Sequence, residues 1–247
     1  MTAAHVEQPH RPEEHRPERQ RVERVSAVAV AAVIIGFSTW VLLTLPLQPA
    51  LILVLASVLA FVGWTTINYT HPVRSRKVVA TYLCAVAFQL VHMAEEYTGH
   101  FPHEIVELFS SPRDWSERSF LLTFVFGFGA LWCLAAAGAL YQVRVANFML
   151  WFYALGAGML NAISHFVFPI LKGGYFPGLY TAFGHLVLSV LLIYFLIQET
   201  RRLKTLEADA GRAEPSRQGE GTRTGSPLRR TSRRAHGLPQ RRASSCV

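Results

Sequence analysis

The stretch QLVHMAEEY, residues 89–97, holds an imidazole, His92, and two adjacent carboxylates, Glu95 and Glu96. Two more imidazoles recur beside a small polar group: Asn161 and His165 in LNAISHF, and Thr181 and His185 in GLYTAFGH. On a helix, positions three and four apart share a face. His92, Glu95 and Glu96 therefore project from one side, with Gln89 one turn behind. Asn161 neighbours His165, and Thr181 neighbours His185, by the same spacing. Neutral imidazoles joined by a carboxylate suit zinc, and the same donors suit ferrous iron or manganese. His92, His165 and His185 with Glu96 are the candidate metal ligands. Glu95 or Glu96, whichever is not a ligand, is the candidate general base. Asn161 and Thr181 are candidates for orienting ligands or polarising a substrate carbonyl. Five donors also match a two-metal site, although bundle sites of that kind carry more carboxylates and the order Glu-x-x-His.

The elements that must position these groups are membrane helices. About half of the 247 residues are hydrophobic, at 51%. They gather in long runs between residues 26 and 198, with the charge outside the runs. A helix needs about 20 apolar residues to cross a bilayer. Six runs qualify: 26–45, 50–67, 78–97, 119–142, 147–171 and 178–198. Alternating ten-residue strands are absent, so the fold class is all-α, a polytopic bundle of six spans. The chain divides into a charged segment, 1–25, and a helical hairpin, 26–67, turned by Pro46-Leu47-Gln48-Pro49. A bundle, 78–198, carries the polar groups. An Arg/Ser-rich tail, 205–247, follows. The segment 1–25 and the tail are expected to be disordered, because neither has enough apolar surface to bury. His5, His10 and His15 belong to that solvated N-terminal segment.

Five Arg precede the first span and twelve Lys and Arg follow the last; Arg74, Arg76, Lys77 and Arg144 lie in loops on the same side. Only Arg113, Arg118 and Lys172 lie opposite. The positive-inside rule then puts both termini in the cytoplasm of a cell-membrane protein. The residues nearest the bilayer, Arg19, Arg21, Arg24, Arg201, Arg202 and Lys204, carry most of that argument. The net charge of +8 is read as tails touching anionic lipid, not as nucleic-acid binding. Cys84, Cys133 and Cys246 form no disulfide framework, and the N-terminal segment reads as the approach to an uncleaved first helix. In the loop 98–118, EIVELFS is expected to form a short interfacial helix over the mouth of the bundle.

At 1.5 Å per residue, His92, His165 and His185 each lie about 10 Å from the same end of their spans. Three helices of two directions thus put their imidazoles at one level. One intramembrane His is most often a hydrogen bond between helices, and a small residue such as Gly156, Gly158 or Gly184 is most often close packing. Three imidazoles at one depth beside two carboxylates ask for more. Each carboxylate costs about 2.5–3.5 kcal/mol at membrane depth. A divalent cation offsets that cost.

Together these motifs resemble the HXXEE family of membrane proteins, named for the pattern that HMAEE fills with His92, Glu95 and Glu96. NAISH resembles its Asn-x-x-x-His element, and GLYTAFGH its Gly-x-x-Thr-x-x-x-His element, giving Gly178, Thr181 and His185. The resemblance covers roughly residues 80–197. It implies a bacterial integral membrane protein with a metal-dependent activity.

The leading expectation is therefore a membrane-embedded metalloenzyme. Ester or amide hydrolysis of a lipid or amphipathic substrate comes first, and lipid oxidation at iron second. Zinc is the first cofactor expected and iron the next. Membrane lipids are the expected partners, while the sequence is silent on oligomeric state. The alternative is a metal-ion or proton transporter. A carrier needs a polar path through the cytoplasmic half, where only Thr81, Gln89 and Asn147 stand, and internal repeats are not evident. Haem ligation by paired His is disfavoured by the acidic pair.

Overall fold

A computed structural model describes residues 16–220 of the chain. Among the described residues the architecture is helical, without strands. Helix α1 (Arg16–Thr44) and α2 (Leu47–Gly63) form the hairpin, with Pro46 as the extended residue that opens α2. A proline suits that place, since a helix's first N–H groups lack partners in any case. Helix α3 spans Arg76–Thr98, and the short α4 spans Phe101–Leu108. Then come α5 (Glu117–Phe120), α6 (Gly129–Leu140), α7 (Arg144–Phe152), α8 (Asn161–Lys172) and α9 (Leu179–Glu220). Three wide-turned π segments interrupt the spans: π1 (Trp64–Asn68), π2 (Leu121–Phe128) and π3 (Tyr153–Leu160).

Among the described residues six helices are long and apolar enough to cross a membrane, so the chain is a multi-pass membrane protein. They run Glu23–Thr44, Leu47–Asn68, Arg76–Thr98, Glu117–Leu140, Arg144–Lys172 and Leu179–Arg212. The sequence expectation of six spans is met. Two boundaries differ. Helix α1 begins at Arg16, inside the segment expected to stay unordered, and α9 continues to Glu220, inside the expected tail. Both stretches are rich in Glu and Arg, and the second in Ala, residues that lose little on entering a helix. The rest of those expectations, with His5, His10, His15 and Cys246, lies outside the described residues. The chain forms two units, 1–205 and 206–247; in the second, the described residues 206–220 are helical.

Span three is the most buried of the six and span one the least. Helix α3 packs on α6 and π3, and α2 packs on α1, α7 and π3. Outward faces carry large apolar groups such as Leu43, Leu134, Ile170 and Phe183, as lipid contact requires. The two ends differ. The lower end, with the turns before α3 and between α6 and α7, is tied by polar side chains. Asn68 donates to Thr200 Oγ1 at 2.6 Å and accepts from Trp151 Nε1 at 2.7 Å. Asn147 accepts from the Val73 N–H at 2.9 Å. Above this layer Trp64, Tyr82, Tyr153, Leu192 and Leu196 are fully buried.

The upper end carries the loops 99–116 and 173–178. Arg113 donates to the carbonyls of Leu42 and Leu45, at 2.6 and 2.9 Å, and so closes the open end of α1. The interfacial helix expected over EIVELFS is α4, which starts earlier, at Phe101. Its Phe101, Pro102 and Ile105 face inward. Lys172 pairs with Glu104 and holds α4 to the top of α8.

Candidate functional site

Helices α3, α8 and α9 bring the three imidazoles together near the upper end. His92, His165 and His185 are fully buried, and Glu96 is 4% exposed. The His92 ring lies 4.7 Å from that of His165 and 4.6 Å from that of His185, edge to face in both cases. Glu96 Oε1 sits 2.9 Å from His165 Nε2 and 3.3 Å from His92 Nε2. His92, Glu96 and His165 each offer a donor atom within 4.8 Å of the others'. Ligands held at about 2.0–2.2 Å from a tetrahedral zinc stand roughly 3.3 Å apart. The spacing therefore fits a divalent metal with little movement.

His92 is fixed from both sides. Its Nδ1 lies 2.6 Å from Thr181 Oγ1, and Thr181 Oγ1 lies 2.6 Å from Glu95 Oε2. The carboxylate can only accept, so Thr181 donates to Glu95 and accepts from His92 Nδ1–H. This assigns the proton to Nδ1, by inference from the network, and leaves the lone pair on Nε2. Asn161 Nδ2 donates to that lone pair at 2.8 Å. Nε2 is thus the unprotonated nitrogen, with its opposite nitrogen hydrogen-bonded as metal-binding imidazoles require; a cation there would take the lone pair in place of the Asn161 N–H. His165 is similar. Its Nε2 meets Glu96, while Nδ1 lies toward the Pro177 carbonyl without completing a full hydrogen bond.

Glu95 is placed differently from Glu96. It takes the Tyr180 and Thr181 N–H groups at 3.1 and 2.9 Å, besides the Thr181 hydroxyl. The Tyr175 hydroxyl, at 2.9 Å, is a fourth donor. The carboxylate therefore caps the start of α9 from a neighbouring helix, where orphan N–H groups and the helix dipole favour an anion. It reaches His92 only through Thr181. Burial, followed by the bond to Glu95, pushes the Tyr175 hydroxyl up to about 12, so it stays a donor at neutral pH.

His185 neighbours His92 but stands outside the group that converges on Glu96. Both of its ring nitrogens are buried without a hydrogen-bond partner, and its ring packs edge-on to Phe88 at 5.3 Å. Ser189, one turn along the same face, also has an unpartnered buried hydroxyl. Such atoms cost about 1–3 kcal/mol each when unsatisfied.

Gly178 lets this arrangement close. Its φ of +90° is in the left-handed region, and a Cβ there would overlap the rings of His165 and His92. Its carbonyl faces the Thr181 hydroxyl at 3.4 Å. Gly158, in π3, admits the Ser189 side chain against its backbone in the same way.

Beside the His/Glu group lies a cavity. Phe120, Phe124, Phe128 and Trp132 form one wall, with Phe152 and Phe168 from span five. Its polar residues are Gln89, Glu96, Asn161 and Ser164. Phe101, on α4, covers the top and lies 5.3 Å from the His165 ring. The sequence reading did not single out Tyr175, Pro177 or Ser189, nor this wall. The wall had a signal: aromatics every fourth residue from 120 to 132. No family model matches the chain, and neither a curated protein nor a solved structure matches it.

Proposed function

We propose that the chain is a membrane-embedded, metal-dependent enzyme of HXXEE type, acting as a hydrolase on a lipid or other amphipathic substrate. The observation that carries this reading is one carboxylate, Glu96, shared between two buried imidazoles and the wall of an aromatic cavity. His92, His165 and Glu96 would hold the cation, with His185 the nearest further donor; zinc suits the set best and iron next. A cation there supplies Lewis-acid polarisation of a carbonyl and lowers the pKa of water. The protein's own groups do the rest. Thr181 and Glu95 keep the proton of His92 on Nδ1. Asn161, which touches His92 and lines the cavity, offers an amide N–H to a substrate carbonyl. With Glu96 taken as a ligand, Glu95 is the carboxylate left over, and it reaches His92 through the Thr181 hydroxyl. The aromatic surroundings keep bulk water away.

Transport draws less support. Gln89 turns into the cavity, Thr81 bonds the Lys77 carbonyl at 2.9 Å, and Asn147 is taken by Val73. Tyr82, Tyr153, Leu192 and Leu196 fill the space below. The Lys and Arg distribution supports cytoplasmic termini in a cell membrane. Lipid profiling of cells expressing the wild type or Glu96→Gln tests the activity. A lipid species that changes with the wild type and returns to the empty-vector level with the variant is expected. Identical lipid profiles, with metal uptake that depends on the protein, would favour transport instead.

A further inference from the structure

The cavity has a shape as well as a lining. Phe120 and Trp132 are twelve residues apart on one span, so the wall is on the order of 15 Å long. The rings stack along it: Phe120 on Phe124, Phe124 on Phe128 and Phe128 on Trp132, each pair 5.6 Å between centroids. The free volume is about 80 Å³. A water-sized position takes about 10–15 Å³ on that measure, so there is room for roughly six, too little for two hydrocarbon chains side by side. A compact polar substrate would want a rounder site with polar groups on several sides. Here the carboxylate, amide and hydroxyl groups come only from spans three and five; span four adds the single indole N–H of Trp132, and span two adds none.

Two polar atoms in the lining are unsatisfied. Gln89 is 3% exposed and its Oε1 has no partner; Trp132 Nε1, toward the lower end, has none either. Gln89 lies one to two turns below Glu96 on α3. An occupant with polar atoms near Glu96 and Gln89 and an apolar remainder answers both the lining and the unpartnered amide. Ile52 and Leu53 of α2 and Phe124 of π2 are half-buried wall residues, while Leu51, Leu55, Leu122 and Phe126 on the same elements face outward.

We propose that this cavity is a slot for a single hydrocarbon chain of a membrane amphiphile, laid along the helix axes with its polar group beside Glu96, Asn161 and Gln89. The chain enters from the bilayer between α2 and π2, and the small free volume excludes a second tail. The proposal deepens the enzymatic reading by naming the substrate class, and it rests on that reading only for what happens to the polar group. Chain binding itself needs no metal.

The test uses full-length protein in detergent and two photoreactive probes. One is a C16 fatty acid with a mid-chain diazirine, and the other is a two-chain phosphatidylcholine carrying the same diazirine. The single-chain probe is expected to label peptides 49–56 and 120–132 at saturable stoichiometry. Ala157→Phe, which fills the cavity from span five, should cut that labelling about tenfold or more, as a steric misfit of this size does. Ile52→Phe, filling it from the opposite side, should act likewise and covers the case in which Ala157→Phe does not fold. Metal content is measured on the same samples. Slot labelling without bound metal leaves the slot standing and counts against the metalloenzyme. Bound metal with labelling confined to outward residues such as Leu134 and Phe183 overturns the slot. Equal labelling by the two-chain probe, or labelling unmoved by both variants, overturns it too.

Discussion

Thr181 is the smallest group in the site and has the most to hold. It passes the charge of Glu95 to His92 through two bonds of 2.6 Å and so fixes both the ring and its proton. Removing such a support costs metal sites about 10–100-fold in affinity. Thr181→Val, which keeps the shape and loses the hydroxyl, should weaken zinc binding by that factor in a competition titration. Thr181→Ser should retain most of it. An unchanged affinity for the Val variant would show that His92 needs no such partner. The residue scale also marks how far the sequence could be read. Spacing put His92, Glu95 and Glu96 on one side, and the structure separates the two carboxylates by about 100° around α3. Glu96, four residues on, stays beside His92 and reaches the cavity wall; Glu95 turns to α9. Which neighbour each would meet depends on where α9 begins, and three or four residues of local spacing carry no word of that.

At the scale of elements, the site is assembled where α9 starts and where α8 leaves π3. The tight start of α9 depends on Gly178, with its φ of +90° and its contact with the His165 ring. Backbone strain of this kind costs about 1–3 kcal/mol. Gly178→Ala should therefore lower the thermal midpoint in detergent by several degrees and reduce metal content together with it. A variant with wild-type stability and wild-type metal would mean that the turn is not what sets the rings. The motif GLYTAFGH was visible in the sequence, but it showed as helix spacing and not as a turn. The π segments were harder to see. A wide turn changes which residues share a face, and hydrophobic periodicity computed for 3.6 residues per turn passes over it. The aromatic stripe from Phe120 to Trp132 was legible in principle. It drew no reading because, in a span that is apolar all round, nothing marks the inner face.

At the scale of the molecule, membrane protein, span number and the common depth of the imidazoles followed from long apolar runs and a constant rise per residue. Both are strong signals, since lipid leaves the backbone few choices. The lower end, held by Asn68, Asn147 and Thr200, and the cavity between spans two, three, four and five depend on packing across the chain. The donor group joins span three to span five, so a cation bound there stabilises the assembly in proportion to its occupancy.

The most direct measurement is the metal content of purified protein, wild type against His165→Ala, with thermal unfolding recorded with and without a chelator. The account predicts close to one zinc or iron per wild-type chain, lost on substitution. The chelator should lower the wild-type midpoint and leave the variant's where it is. A wild-type protein that takes up no metal when offered zinc or ferrous iron would contradict it. A variant that keeps as much metal as the wild type would do so equally.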